Sequence, residues 1–481
     1  MVLKVLIATA CETPLLLADE ACRSIFGLAV ALKKKNVDVR MVMPRTRDIP
    51  GAIQQQIQWN DSIFVPVGWD NKFCGLEQVM HQHIPVYFLD NKDYFLKTDR
   101  DFLAENAEGY AFFNRGVFEM LPYFNFRPDV IHSIDWQTGM VPALHKIVYQ
   151  RMPYYQHMKT VFTIRQMKDK GCFPRQMLRE WFNLGSEHLT QEGVEFYGDM
   201  CFLKGGINYA DYMTTLSPPY AQDIQHPEHG EGLEGLMQWQ SQKLMGLVHG
   251  PDTDVYCPTD NQLLSVPYTA DDIEKKADNK RWLQEKLGLP VQNVPLIALP
   301  GPLTSERGMR QVLEVLDELM NSDLQLVVLG AGEAGFEEAL RKVAREHPEK
   351  CVFQQPQSID WELQLFAASD FFLATPFYEP RGMNGLEAVY FGSLPIVRLA
   401  GGYRDTMIDF RDPSGDGFAV TFTGDHGNDL LDAIHAALML YEKEPTRYLD
   451  MARKAMSLPY SWDQTADAYL DIYRNLMKNS G

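Results

Sequence analysis

Twice along this chain, short apolar runs alternate with stretches whose apolar residues recur at helical spacing, and this alternation restricts the fold more than any other feature. The first series opens with a strand at residues 5–8. A helix follows, with Ala21, Ile25, Leu28 and Leu32 on one face, then a strand at 37–43 that Pro44 stops. Further short apolar runs lie at 63–66, 86–89, 130–133 and 160–164. Around 258–279 the composition turns polar and loses its period, which reads as a linker. The second series has strands at 295–299, 324–329, 371–374 and 394–397, with helices at 309–320 and 336–346 between them. Long helical patterns at 429–441 and 462–477 close the chain. Strands that alternate with helices form parallel sheets covered on both faces. The expectation is an α/β protein of two Rossmann-like domains facing across a cleft, with ligands at the carboxyl ends of the strands. The domains are placed at 1–258 and 259–458. A final helix is placed at 459–481, with apolar Tyr469, Ile472 and Leu476 to bury.

At 481 residues the chain is long enough to bury its cores without covalent staples. Its formal net charge of −19 argues against nucleic-acid or anionic-membrane partners, because phosphates select basic surfaces. A nucleotide in a locally positive pocket stays compatible with it. The seven cysteines are odd in number and widely spaced, with no C-x-x-C. They read as reduced thiols of a cytoplasmic protein, without a disulfide framework or a metal site. The first apolar run is too short for a signal peptide, and no stretch is long enough to span a membrane.

Gly330-Ala331-Gly332-Glu333-Ala334-Gly335 matches the dinucleotide pattern G-x-G-x-x-G between a strand and a helix. A dinucleotide site also needs an acid at the end of the next strand. That strand, Val352-Phe353-Gln354-Gln355-Pro356, ends without one, so the loop reads as a tight turn feeding a helix.

Several segments carry a resemblance, in order along nearly the whole chain. They are His132-Ser133-Ile134-Asp135-Trp136-Gln137-Thr138-Gly139, Phe196-Tyr197-Gly198, Phe202-Leu203-Lys204-Gly205-Gly206-Ile207 and Ser217-Pro218-Pro219-Tyr220-Ala221. Glu231-Gly232-Leu233-Glu234-Gly235-Leu236, Gly250-Pro251-Asp252-Thr253-Asp254-Val255 and Tyr378-Glu379-Pro380-Arg381-Gly382-Met383 follow, then Gly392 to Arg398 and Gly401-Gly402. Together they resemble bacterial glycogen synthases and plant starch synthases, retaining glycosyltransferases of the GT-B fold. The resemblance implies transfer of glucose from a nucleotide-glucose, ADP-glucose in bacteria, to the non-reducing end of an α-1,4-glucan. It implies no metal and no cofactor beyond the nucleotide-sugar substrate, and a closing helix at 459–481 that returns to the first domain and buries Tyr469, Ile472 and Leu476 there. Such a site must neutralise a leaving diphosphate and steady an oxocarbenium-like sugar.

By this resemblance Asp135, Arg165 and Glu379 are the catalytic candidates. Arg307, Arg381, Gly382, Met383, Glu387, Gly401 and Gly402 are the nucleotide-sugar candidates, with Gly382 and Met383 opening a helix whose N–H groups face an anion. Asp135 and Trp136 also read as a helix cap with a packed neighbour. The chain departs from the family where the donor binds. The family's K-T-G-G-L is Leu17-Ala18-Asp19-Glu20-Ala21, so carboxylates stand where glycines let backbone approach phosphate. Pro302 replaces a diphosphate-binding arginine and Arg307 a lysine. In T-I-H-N the histidine becomes Arg165 and the asparagine Gln166, and the asparagine of N-G-x-D becomes His249. Arg165 then either pairs with Asp19 or Glu20 and plugs the site, or joins Arg307 and Arg381 in a relocated anion clamp.

Three functions follow: a glucosyltransferase of weak or altered activity on a nucleotide-sugar and an α-glucan, a non-catalytic glucan-binding or regulatory relative, or a transferase for another nucleotide-sugar. The oligomeric state is not readable from these residues.

Overall fold

The computed structural model describes residues 2–10, 20–96, 107–253, 255–355, 359–379 and 382–478, and for 20–24 and 359 the backbone alone. The chain divides into two compact units, Met1–Leu247 with Trp462–Gly481, and Val248–Ser461. No helix among the described residues is long and apolar enough to cross a membrane.

In the first unit the strands are β1 (Lys4–Thr9), β2 (Asp38–Pro44), β3 (Gln58–Val67), β4 (Asp70–His81), β5 (Ile84–Asp90), β6 (Val130–Ile134) and β7 (Lys159–Ile164). Short strands follow: β8 (Cys172–Phe173), β9 (Glu195–Phe196), β10 (Asp199–Cys201), β11 (Tyr212–Thr215) and β12 (Leu244–Gly246). Nine of them form one sheet in the order β12-β11-β7-β6-β1-β2-β5-β4-β3, and β8-β10-β9 form a small second one. From β12 to β5 every pairing is parallel. The cause is visible in β1, where Val5, Leu6, Ile7 and Ala8 are all buried, so both faces of the strand are covered. The hairpin β3–β4 is antiparallel instead. There Ile63 and Val65 point inward while Phe64 and Phe73 face water, the alternation of a half-buried sheet. The order reverses between β1 and β6, which marks the loops after those strands as the crevice of an open α/β sheet.

The closing helix, Trp462–Lys478, packs on the helix Glu20–Lys34. Gly27 makes this possible, since a Cβ there would lie 2.5 Å from the Trp462 indole nitrogen. Tyr469, Ile472 and Tyr473 are buried and Leu476 is half-buried. The helix is also tied to the sheet by polar contacts. His132 Nδ1 is 2.8 Å from the Tyr473 hydroxyl and Nε2 is 2.6 Å from Thr163 Oγ1, which lies 2.6 Å from Thr214 Oγ1.

Complete burial pushes the His132 imidazole down to about 3. In the unfolded chain the ring titrates near 6.5. Between these values the unfolded state binds more protons, so stability is full above about pH 6.5 and falls as pH drops towards 3, by up to ~1.4 kcal/mol per pH unit. Denaturant titrations of His132→Gln between pH 6.5 and 4 are expected to show a shallower fall than the parent. Parallel curves would mean that His132 does not carry this acid sensitivity.

In the second unit the strands are β13 (Leu296–Pro300), β14 (Gln325–Leu329), β15 (Cys351–Gln354), β16 (Phe371–Ala374), β17 (Leu394–Arg398) and β18 (Val420–Phe422). They form one parallel sheet, β15-β14-β13-β16-β17-β18, whose order reverses at β13 and β16. The stretch 258–279 is not a linker. Leu264, Tyr268 and Ile273 belong to the core of this unit, and the Tyr268 hydroxyl donates to the Phe391 carbonyl at 2.8 Å. They stand among Pro258, Pro267 and many polar residues, which leaves no period to read. The division falls at Leu247/Val248 and Ser461/Trp462, where the sequence placed it at 258/259 and 458/459. The two crossings are neighbours, since a Cβ on Gly250 would lie 2.5 Å from the backbone of Ser461.

The glycine loop after β14 serves packing. A Cβ on Gly330 would lie 2.2 Å from the Gly301 carbonyl, and one on Gly332 would lie 2.2 Å from that of Leu303. The Gly332 N–H, which a pyrophosphate would need, already donates to Glu337 Oε1 at 3.0 Å. That bond and the Arg341 guanidinium hold the Glu337 carboxyl below its usual range.

Candidate active site

In the first unit the site residues stand on the loops after β6 and β7. Asp135 follows β6 with φ +63°, a left-handed conformation that is uncommon outside glycine. Its N–H donates to the Thr163 carbonyl of β7 at 3.0 Å, which holds the loop in place. The expected helix cap is not made by its side chain. Instead, Oδ1 accepts the Arg165 backbone N–H at 3.1 Å and Oδ2 accepts the Arg165 guanidinium. Trp136 is the packed neighbour, edge-on to Tyr110 at 5.1 Å, with Gly171 (φ +61°) lying against its ring. Gln166 braces its own loop, accepting from the Lys168 and Asp169 N–H groups and donating to Asp169 at 2.7 Å. Of the partners expected for Arg165, Asp19 and the side chain of Glu20 lie outside the described residues, as do Leu17 and Ala18. The described partner is Asp135.

In the second unit the candidates gather where β13, β16 and β17 end. Pro302 follows β13, and Arg307 closes a turn whose carbonyl accepts from the Thr375 hydroxyl at 3.0 Å. Gly308 (φ +76°) lets this turn lie against β16, since a Cβ there would sit 2.0 Å from the Thr375 carbonyl. The Arg307 guanidinium is paired with Glu379 Oε2. Glu379 is buried, its Oε1 accepts the Gly382 N–H at 3.0 Å, and its carbonyl accepts the Gly402 N–H at 2.9 Å. The Gly382 amide is therefore taken by Glu379, where the sequence left it available to an anion. Gly382 (φ +70°) also admits the Tyr403 ring, 2.8 Å from where its Cβ would be. Met383 and Glu387 are buried on the helix Met383–Val389, while Gly401 (φ +46°) opens the turn after β17. His249 is buried in the same unit, and Arg381 lies outside the described residues.

Two further groups at this end carry charge that the sequence reading left without a role. Arg398 ends β17 with its guanidinium 4.1 Å from the centre of the Phe377 ring. Its Nη1 has no hydrogen-bond partner among the described residues, and burial holds its pKa below the usual range. Asp405 follows Gly401-Gly402, and neither of its carboxyl oxygens has a hydrogen-bond partner among the described residues. Desolvation pushes that carboxyl up to about 6. The signal for both was position alone, Arg398 at the end of an apolar strand and Asp405 on the short helix that follows it. Among the described residues no group of three His, Cys, Asp or Glu side chains could hold a metal ion.

Residues 13–239 match the family described as starch synthase catalytic domain, and residues 281–455 match glycosyl transferases group 1. The glycogen synthase of Alkaliphilus metalliredigens is 37% identical over 475 residues, covering 98% of this chain and all of that protein. The glycogen synthase of Desulforamulus reducens is 36% identical, covering 99% of each. Among solved structures, the catalytic domain of starch synthase IV from Arabidopsis thaliana, bound to ADP and acarbose, superposes with a TM-score of 0.91 at 22% identity over 99% of each chain. A sucrose-phosphate synthase from Thermosynechococcus elongatus superposes with a TM-score of 0.63 at 14% identity, over 99% of this chain and all of that one. The fold is GT-B, with two Rossmann-like units.

Proposed function

The chain belongs to the glycogen synthase family, and from that premise we propose that it transfers glucose from ADP-glucose to an α-1,4-glucan with weak or altered activity. The observation that carries this reading is the group at the ends of β13, β16 and β17. There the cation Arg307 is paired with the buried carboxylate Glu379, and a second cation, Arg398, ends β17 of the same unit. When the bond between glucose C1 and the diphosphate oxygen breaks, negative charge grows on the leaving group, and fixed cations lower that barrier. Glu379 is suited to hold sugar hydroxyls, because an ionised carboxylate accepts hydrogen bonds at both oxygens. In the other unit we assign Asp135 to the sugar or the acceptor. A cytoplasmic location belongs to the same reading.

One feature favours the non-catalytic alternative. Arg165 neutralises Asp135, and Arg307 neutralises Glu379. A substrate must compete with these internal pairs, which weakens the binding of charged ligands.

The test is thermal melting with ADP-glucose, UDP-glucose, ADP and maltoheptaose, followed by assay of nucleotide release with glycogen. Stabilisation by ADP-glucose and release of ADP are the expected results. A response to maltoheptaose alone would sink the transfer reading, and a response to UDP-glucose alone would change the donor. Restoring the family's arginine by Pro302→Arg is expected to raise kcat/KM for ADP-glucose about tenfold, since a charge-assisted hydrogen bond is worth about 1.5–3 kcal/mol. An unchanged kcat/KM in a folded variant would show that Pro302 is not the missing phosphate contact.

A further inference from the structure

Cys172 and Cys201 lie on β8 and β10 of the small sheet in the first unit, where the antiparallel register sets them directly opposite each other. The Phe202 N–H donates to the Gly171 carbonyl at 3.0 Å, which is the bond that flanks a pair of the non-hydrogen-bonded kind. Such pairs bring their Cα atoms to about 4.5 Å, with both side chains on one face of the sheet. A disulfide asks for Cα atoms roughly 4.4–6.8 Å apart, so the backbone is already set for one. Both residues are free thiols.

The two thiols differ as an attacking and a resolving thiol must. Cys172 is exposed, whereas Cys201 is fully buried. A hydrogen bond from Cys201 holds the Cys172 thiol below its usual range against desolvation, with help from the Lys170 ammonium. Burial pushes the Cys201 thiol well up, so it keeps its proton. Cys74 and Cys351 are buried too, and desolvation raises both thiols, which makes them inert.

The pair stands at the far end of the loop that carries the site in this unit. That loop runs from Arg165, held by Asp135, to Gly171, which lies against the Trp136 ring beside Asp135. Lys170 and Gly171 are fastened to the helix Phe202–Tyr209 by the Leu203 and Phe202 N–H groups, each at 3.0 Å. A covalent bond at the next residue would hold this end of the loop shut. A substrate that must part Arg165 from Asp135 has to move the same loop.

We infer that Cys172 and Cys201 form a reversible disulfide when the protein meets a hydroperoxide, and that this bond restrains the 165–171 loop beside Asp135. The Cys172 thiolate attacks the terminal peroxide oxygen and the O–O bond breaks. A sulfenic acid forms, and the other oxygen takes a proton and leaves as water or an alcohol. The Cys201 sulfur then attacks the Cys172 sulfur. The S–O bond breaks, the S–S bond forms, and the departing hydroxide leaves as water with the Cys201 proton. The two thiols lose two electrons, which the hydroperoxide takes up, and a dithiol returns them by exchange. The effect on catalysis rests on the proposed transfer reading; the disulfide does not.

The test treats the full chain with hydrogen peroxide and then with dithiothreitol, mapping the thiols by peptide mass spectrometry. A joined Cys172–Cys201 peptide pair, lighter by two hydrogens, is expected, and dithiothreitol should abolish it. Cys201→Ser should stop at a Cys172 sulfenic acid that dimedone traps, and Cys172→Ser should show neither product. Amide hydrogen exchange across 165–171 should slow about tenfold in the oxidised parent, since a cross-link restricts opening. ADP release from ADP-glucose with glycogen should fall severalfold at the same time, and peroxide should leave both unchanged in Cys172→Ser. Cys172 is exposed, so this variant should fold, and circular dichroism checks it. Absence of the disulfide, or Cys172 joined to another cysteine, overturns the inference. A disulfide that leaves exchange across 165–171 or ADP release unchanged overturns the control of the loop. If the disulfide slows exchange but neither redox form releases ADP, the transfer reading fails and the redox site stands. If ADP is released and no disulfide forms, the redox site fails alone.

Discussion

Lys280→Met is expected to destabilise the second unit by about 3–5 kcal/mol, because it strands a buried carboxylate. Lys280 lies on the helix Lys276–Leu287, and its ammonium donates to Asp370 Oδ2 at 2.5 Å, to the Val294 carbonyl at 2.5 Å and to the Tyr441 hydroxyl at 3.2 Å. Asp370 Oδ2 also accepts the Leu296 N–H at 2.8 Å, so the pair fastens the start of β13 to the start of β16. Both side chains are more than nine-tenths buried. Desolvation disfavours the Lys280 ammonium, but Asp370 outweighs it and keeps the pKa above its usual value. Methionine fills the stem's volume and removes only the charge. The measurement is denaturant unfolding with the two units' transitions fitted separately, since a two-unit chain does not melt in one step. Adding Asp370→Asn to Lys280→Met removes the stranded charge and is expected to recover part of the loss. A single variant that unfolds like the parent would show that water reaches the carboxylate.

Neither lysine of this cluster was legible in the sequence. Lys276 donates to the carbonyls of Phe366, Ala367 and Phe391 at 2.7–3.0 Å, and burial pushes its pKa down to about 7. In a helix as polar as KADNKRWLQEKL, a lysine reads as solvated, and only the tertiary fold places it over backbone ends. The parallel strands were readable for the opposite reason. Runs such as Leu6-Ile7-Ala8 or Val327-Val328-Leu329 need both faces covered, and no other environment suits them. The hairpin partner β4 escaped, because its outer face carries Phe73 and polar residues together, so its alternation is blurred. The site was legible as a set of positions and illegible as a set of partners. That Asp135 is held by Arg165, and Glu379 by Arg307, depends on loops from different strands meeting, and no spacing in the sequence records it.

Of the two pairs, Arg307–Glu379 gives the larger functional test. Arg307→Ala is expected to lower kcat/KM for ADP-glucose by about 10²–10³, the range found when a positioned group that stabilises developing negative charge is removed. Its side chain is about one-third exposed, which screens the ion pair, but the Glu379 left behind is buried, so the melting temperature falls too, and kcat/KM and ADP binding are the readouts that a brace alone would not move. That contrast separates a substrate contact from a structural brace. Arg307→Lys should lie between, because lysine keeps the charge but not the forked geometry. Glu379→Gln tests the other half of the pair. It keeps an oxygen for the Gly382 N–H, now 3.0 Å away, but releases Arg307 from its ion pair. Nucleotide binding should then tighten, while kcat falls as the sugar loses an ionised acceptor. If Arg307→Ala leaves kinetics and ADP binding unchanged while lowering the melting point, Arg307 is a brace for Glu379, and Arg398 becomes the first cation to test for the diphosphate.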